Sequence, residues 1–405
     1  MMKAFKIILL GLIAFSFNNL YSQEVKDTEK TEEGYKFTDV IRLPTTSVKN
    51  QYRAGTCWSY SALSFLESEV IRLGGDKDID LSEMWIVRHT YNDKAEKYVR
   101  MHGILNFGQG GAFHDVTEMI KKYGIVPQKT YQGLNYGTEK DVHGEVDAIL
   151  TNYVKAVVEN KNKKVTTAWL KGYNGVLDAY FGKEVKDFEY KGTKYTPKSF
   201  VEKLKINADD YIEITSYSHH PFYSKFIIEV QDNWMWGNVY NLPINEMMEV
   251  MDNALNNGYT IGWGADVSEK GFSWTNGVAV VPEEAKENLS DDERSKWSEL
   301  SDRERAKLFY SFDKPAKEKV ITQEMRQEAF DNYQTTDDHG MHIVGIAKDQ
   351  NGIKYYIVKN SWSDKGSPYE GYFYASEAFV KYKTMDFMIH KDAVPSAIKK
   401  KLNIK

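Results

Sequence analysis

The chain has one cysteine, Cys57, in the stretch Gln51-Tyr52-Arg53-Ala54-Gly55-Thr56-Cys57-Trp58. With no second cysteine it cannot form an intramolecular disulfide. It precedes a run that reads as a long helix. A helix N-terminus carries a partial positive charge and biases a thiol placed there toward thiolate. A thiolate nucleophile works with a histidine as base and a third group that orients the histidine. Two histidines are candidates, both in Asp337-Asp338-His339-Gly340-Met341-His342-Ile343-Val344-Gly345. They are three residues apart and so fall on opposite faces of a strand. The orienting group is Asn360, in Lys359-Asn360-Ser361-Trp362, whose side-chain carbonyl can accept from an imidazole. The adjacent Trp362 can cover that bond from water. Gln51 offers a side-chain amide donor beside the thiol, and with the Cys57 backbone N–H it makes an oxyanion hole. The chemistry open to this set is acyl transfer through a covalent acyl-enzyme.

Recognisable elements must position these groups. Leu63, Leu66, Val70 and Leu73 recur at helical spacing, which predicts a helix over 56–73 that stops at Gly74-Gly75. Asp80 and Glu83 stand in capping-box positions for a second helix. The segment 106–111, Asn-Phe-Gly-Gln-Gly-Gly, reads as a glycine-rich loop, with Gly110 and Gly111 suited to lining a cleft for an extended peptide. A short helix over 114–123 ends at Gly124. Residues 138–205 read as a helical insertion with a small hairpin turning at Lys191-Gly192, then a helix capped by Thr196 with Pro197 at its first position. From about residue 210 the texture turns strand-like, at 211–214, 226–230, 259–267, 342–347, 354–359 and 371–374, with a helix over 244–255. A second, charge-rich helical excursion covers 283–333, with Ser290 and Glu293 as a capping box. A helix-rich first half and a strand-rich second half predict an α+β fold of two lobes meeting at a cleft.

The set Gln51, Cys57-Trp58, Gly110-Gly111, Asp338-His339-Gly340 and Asn360-Ser361-Trp362 resembles the papain-like cysteine peptidases in both composition and order. The resemblance implies a helical lobe and a β-barrel-like lobe. It further implies Cys57, His339, Asn360 and Gln51 as catalytic residues, and Gly110, Gly111 and Trp362 as substrate-binding ones. Its register selects His339 over His342, leaving His342 as a packed strand histidine. Cys57 and His339 are about 280 residues apart, against about 130–150 in papain itself. That excess, with the stretches 106–127 and Ala393-Val394-Pro395, is similar to the bleomycin hydrolase/aminopeptidase C branch, in which helical insertions decorate the papain core. The branch forms hexamers, so a homo-oligomer is implied. It also places its C-terminal arm in the cleft, where the terminal carboxylate meets the substrate's amino group. Here the chain ends soon after Pro395 in Lys399-Lys400-Lys401-Leu402-Asn403-Ile404-Lys405, a short basic tail over 393–405 that reads as solvated. Aminopeptidase action therefore comes from the resemblance. Endopeptidase or dipeptidyl cleavage stays open, as do acyl transfer to an amine and a silent peptide binder on the same fold.

The resemblance implies peptide substrates, and the N-terminus implies that the mature chain works outside the cytosol, periplasmic or extracellular. A net charge of -5 argues against a dedicated nucleic-acid binder. Lys3 and Lys6 flank an apolar run over 7–17, and Ser22 is a small residue at a plausible cut, so residues 1–22 read as an export signal. The run is shorter than the roughly 20 apolar residues that span a bilayer, and no cysteine follows it to carry a lipid, so no membrane anchor is expected. Residues 23–45 read as a flexible lead-in and 46–392 as the peptidase domain. No metal or organic cofactor is called for. His219-His220 reads as a surface pair, because neighbours on a strand point to opposite faces.

Overall fold

The structure is a computed structural model that describes residues 34–285 and 288–404. The export signal and the first part of the lead-in lie outside the described residues. In chain order the helices are α1 (Cys57–Arg72), α2 (Glu83–Arg100), α3 (Phe113–Tyr123), α4 (Gly144–Val158), α5 (Ala168–Phe181), α6 (Pro197–Leu204), α7 (Ile244–Asn256), α8 (Asp291–Lys296), α9 (Asp302–Phe309), α10 (Gln323–Asp331), α11 (Glu377–Lys383) and α12 (Ser396–Leu402). The strands are β1 (Phe37–Arg42), β2 (Phe188–Tyr190), β3 (Thr193–Tyr195), β4 (Tyr211–Thr215), β5 (Lys225–Ile227), β6 (Asn238–Asn241), β7 (Ile261–Ala265), β8 (Phe272–Ser273), β9 (Val278–Ala279), β10 (His339–Asp349), β11 (Lys354–Lys359), β12 (Tyr372–Ser376) and β13 (Thr384–His390).

The helix-rich first half packs around α1, a helix buried along nearly its whole length among residues such as Leu63, Phe65, Trp85, Val116 and Phe200. The insertion over 138–205 joins this core through Val146, Leu150, Tyr173, Leu177 and Phe181, all fully buried. The second half is an 11-stranded sheet in the order β5-β6-β4-β13-β7-β10-β11-β12-β9-β8, with β1 also on β10. Pairing is antiparallel except for β4 with β6 and β12 with β9. The fold is α+β, and its sheet is open rather than closed into a barrel: β5 and β8 form its two ends.

Four differences from the sequence reading have physical causes. Part of the lead-in is strand β1, in register with residues 345–349 of β10; Phe37 stacks on Tyr374 at 4.0 Å. The basic tail is not free in solvent. Its last residues form α12, which buries Ile398 and Leu402 against the sheet core while its lysines stay outside, one of them bridging to Glu246. Helix α2 is capped by Ser82, whose hydroxyl accepts from the Trp85 N–H at 3.0 Å; Asp80 instead pairs with Lys49. The strand expected over 226–230 ends at Ile227, because the Asn233 side chain bonds the carbonyls of Ile228 and Gly237 and folds the following segment into a turn.

Candidate active site

Cys57 is the first residue of α1, and no acidic residue occupies that helix's first turn. Its sulfur accepts from the backbone N–H groups of Trp58 and Gly340. Gly340 has to be glycine: a Cβ there would lie 2.6 Å from Ser61 Oγ and 3.4 Å from the Cys57 carbonyl carbon. Two bonds lock the turn before Cys57 to the glycine-rich loop. The Gly55 N–H donates to Gln109 Oε1 at 2.7 Å, and the Trp58 indole N–H donates to the Gln109 carbonyl at 2.9 Å. Lys94, buried on α2, holds the same loop from below by donating to the carbonyls of Gly108 and Gly110. A Cβ on Gly111 would meet Asp115 and the Trp58 ring at 2.7 and 2.8 Å, so only glycine lets the loop lie this close to α1 and α3.

The second lobe supplies the imidazole. His339 opens β10 and faces the cleft, and its Nε2 lies 2.8 Å from Asn360 Oδ1. That oxygen also accepts from the Ser361 N–H at 2.8 Å, and the two donors fix the orientation of the Asn360 amide. Trp362 stacks on the imidazole, with centroids 4.7 Å apart and planes 27° from parallel, and is backed edge-on by Phe272 and Trp274. Gln51 is buried, with Oε1 accepting from Ser361 Oγ at 2.6 Å and Nε2 donating to the Ala54 carbonyl at 2.8 Å. Its remaining amide hydrogen is left for the cleft, which Gln51 lines beside Cys57. His342 faces the other way, toward α1. Its Nδ1 meets Ser64 Oγ at 3.0 Å, and burial holds it neutral. The alternation of β10 thus sends one histidine to the cleft and the other into the interior.

Gln51, Cys57, Gly110, Gly111, His339 and Trp362 all line one cavity of about 490 Å³, with Asn360 behind His339. Sequence reasoning gave no role to the carboxylates that share this cavity, Asp232, Asp337, Asp338 and Asp386. Asp338 is a structural clasp, accepting from the Val267 N–H and Ser268 Oγ across the cleft floor. Asp232 stands against Gly110 so closely that a Cβ there would fall 1.9 Å from its carboxylate; Asn106 holds it at 2.9 Å. Asp337 and Asp386 have no hydrogen-bond or ion-pair partner among the described residues. Crowding by protein and by the neighbouring carboxylates Asp232 and Asp338 pushes Asp337 up to about 7. Burial, with Glu213 and Asp337 nearby, raises Asp386 well above the usual carboxylate range. The signal available in the sequence was Asp337-Asp338 beside the histidine; Asp232 and Lys94 carry no local signal.

Burial also sets the charge at the reacting groups. It pushes the Cys57 thiol up to about 12 against the two backbone donors, and it lowers His339 against the Asn360 bond. Each ion alone is disfavoured. Moving one proton from sulfur to imidazole leaves the net charge of the cavity unchanged and gives each ion its counter-ion, so only the joint transfer escapes that penalty.

A nucleophile at a helix N-terminus, an imidazole oriented by an amide and a second amide beside the sulfur together suit acyl transfer by a thiol. Comparison with known proteins gives the family. Residues 38–241, half of the chain, match the papain family of cysteine proteases, and residues 309–405 match the Peptidase C1-like family. The chain belongs to the papain family of cysteine proteases and is a cysteine peptidase. It is similar to Aminopeptidase G of Lactobacillus delbrueckii subsp. lactis, 22% identical with 86% of this chain and 82% of that one covered. Aminopeptidase C of Streptococcus thermophilus is 23% identical, covering 90% and 85%. Among solved structures, PepW from Lactobacillus rhamnosis shares the fold, with TM-score 0.67, 19% identity, and 90% and 84% covered.

Proposed function

We propose that this peptidase acts at the N-terminal end of peptides, releasing residues from a free α-amino group. The observation that carries the reading is Asp232 packed against Gly110. It fills the cleft beside the glycine that would pair with an extended peptide, and it puts negative charge where the substrate's ammonium would arrive. The names of the relatives, aminopeptidases C and G, support it. In the proposed cycle the Cys57 thiolate attacks the scissile carbonyl. Gln51 and the Cys57 N–H stabilise the oxyanion. The His339 imidazolium protonates the leaving amine and then, as base, activates the deacylating water. Asn360 holds the His339 ring and Trp362 shields that bond.

The C-terminal segment supports a different division of labour from the one the resemblance implied. Among the described residues, none from 393 to 404 lines the cavity around Cys57. Negative charge at the cleft's end comes instead from side chains. That same observation favours internal cleavage as the second reading, should Asp232 swing aside. One peptide in free and N-acetylated forms, followed by mass spectrometry under reducing conditions, separates the two. Stepwise shortening of the free form only is expected, and internal cuts in both would overturn the N-terminal reading. We also read residues 1–22 as an export signal and the mature chain as a homo-oligomer. The mass of the secreted chain and its elution on a sizing column test these readings.

A further inference from the structure

The turn after β4 carries His219 and His220. Because they lie in a turn rather than a strand, their rings do not diverge: both face one carboxylate on the turn after β5. His219 Nε2 is 3.0 Å from one oxygen of Glu229, and His220 Nε2 is 2.7 Å from the other. The three ligand-type atoms fall within 4.8 Å of one another. Both rings are braced by aromatic packing. His219 stacks on Phe330 at 5.6 Å and 18°, and His220 on Phe226 at 4.3 Å and 25°. Behind His219, the Gln327 side-chain oxygen accepts from the Ser218 N–H at 2.6 Å, and the amide nitrogen and oxygen of Gln327 lie 3.0 and 3.3 Å from Nδ1.

We propose that His219, His220 and Glu229 form a binding site for a divalent cation of the zinc class, with its remaining coordination positions open to water. Two imidazoles and one carboxylate suit zinc, copper or nickel rather than calcium or magnesium, which take oxygen ligands. At zinc–nitrogen and zinc–oxygen lengths of about 2.0–2.2 Å, ligand atoms around a tetrahedral ion stand roughly 3.4 Å apart. The present 2.7 and 3.0 Å separations reach that with movements below an ångström. The ion would pin the turn bearing the histidines to the segment that runs on from Glu229 to Asp232. It is therefore a brace for the loop that closes the cleft, although the site itself does not depend on the peptidase reading.

The test uses the untagged full chain carrying Cys57→Ala, so that no thiol competes, stripped with chelator. Zinc chloride alone is titrated by calorimetry, and cobalt chloride is followed in the visible spectrum. One equivalent is expected to bind and to raise Tm, with affinity falling by about 10²-fold or more in His220→Ala and in Glu229→Gln. Absence of one-equivalent binding overturns the proposal. So does binding that survives both substitutions, since the ion would then sit elsewhere. If His220→Ala does not fold, Glu229→Gln, at a side chain 53% exposed, decides the matter alone.

Discussion

Replacing Asp232 separates charge from volume at the end of the cleft. Asp232→Asn keeps the side chain's size, its packing on Gly110 and an oxygen for the Asn106 bond. Only the negative charge goes. A charge-assisted hydrogen bond between a half-buried carboxylate and an ammonium contributes about 1.5–3 kcal/mol. The screened Coulomb energy of such a pair, about 4 kcal/mol at 4 Å and an effective dielectric of 20, bounds it from above. Losing it should lower kcat/KM for a peptide with a free N-terminus by roughly 10- to 100-fold, mostly through KM. The assay is release of a fluorescent leaving group from matched free and N-acetylated substrates. Any residual turnover of the acetylated one should be unaffected. Asp232→Ala goes further and clears the space beside Gly110, so internal cuts in longer peptides should appear. If Asp232→Asn changed both substrates alike, or neither, the carboxylate would not be reading the amino group and the argument from Gly110 would fail.

Further outcomes follow from the geometry. Asn360→Ala removes the acceptor that orients His339 and should lower kcat by about 10- to 100-fold, the worth of a hydrogen bond to a charged group, whereas Cys57→Ser should abolish turnover with an unchanged circular dichroism spectrum. Burial pushes Asp337 up to about 7, so the affinity for free-amine peptides should rise as pH climbs through 7 and fall again as the substrate's α-amino group loses its proton near 7.7–8.0; because its folded-state pKa is raised, the stability it costs sets in above the unfolded pKa near 3.9 and is complete above 7, so Asp337→Asn should raise Tm most at pH 8, less at pH 5 and not at all below about pH 3.5. Deleting residues 396–405 strips two buried side chains, Ile398 and Leu402, and should cost about 3–6 kcal/mol of stability in a denaturant melt while leaving kcat/KM of the folded fraction unchanged.

What was legible in the sequence was whatever chemistry forces on residue type. A single cysteine at a helix start, His339-Gly340 and Asn360-Ser361-Trp362 lie together in the structure because no other residue types fit those contacts. Gly340 and Gly111 are clear cases, each with less than 3 Å of room for a Cβ. Helices with strong periodicity, such as α1 and α7, were placed within a residue or two. β1 and β13 were not seen, because each is a short stretch with a polar residue at its centre, Asp39 and Asp386, and periodicity over so few residues does not separate strand from loop. Asp232 and Lys94 act by meeting the glycine loop from distant parts of the chain, which spacing along the sequence does not record. His219 and His220 do lie at the surface, but in a turn rather than on a strand, so the alternation argument for diverging rings does not apply to them.

The order of elements in the sheet also governs when the enzyme can exist. β13, ending at His390, lies between β4 and β7, and β10, which carries His339, begins only at residue 339. A chain still emerging from the ribosome holds its thiol long before it holds the base, the orienting amide or the central strand. Non-local pairing of this kind forms late and slowly. A prematurely terminated product would thus carry Cys57 on a helix with nothing to activate it. Proteolytic power is withheld until synthesis is essentially finished.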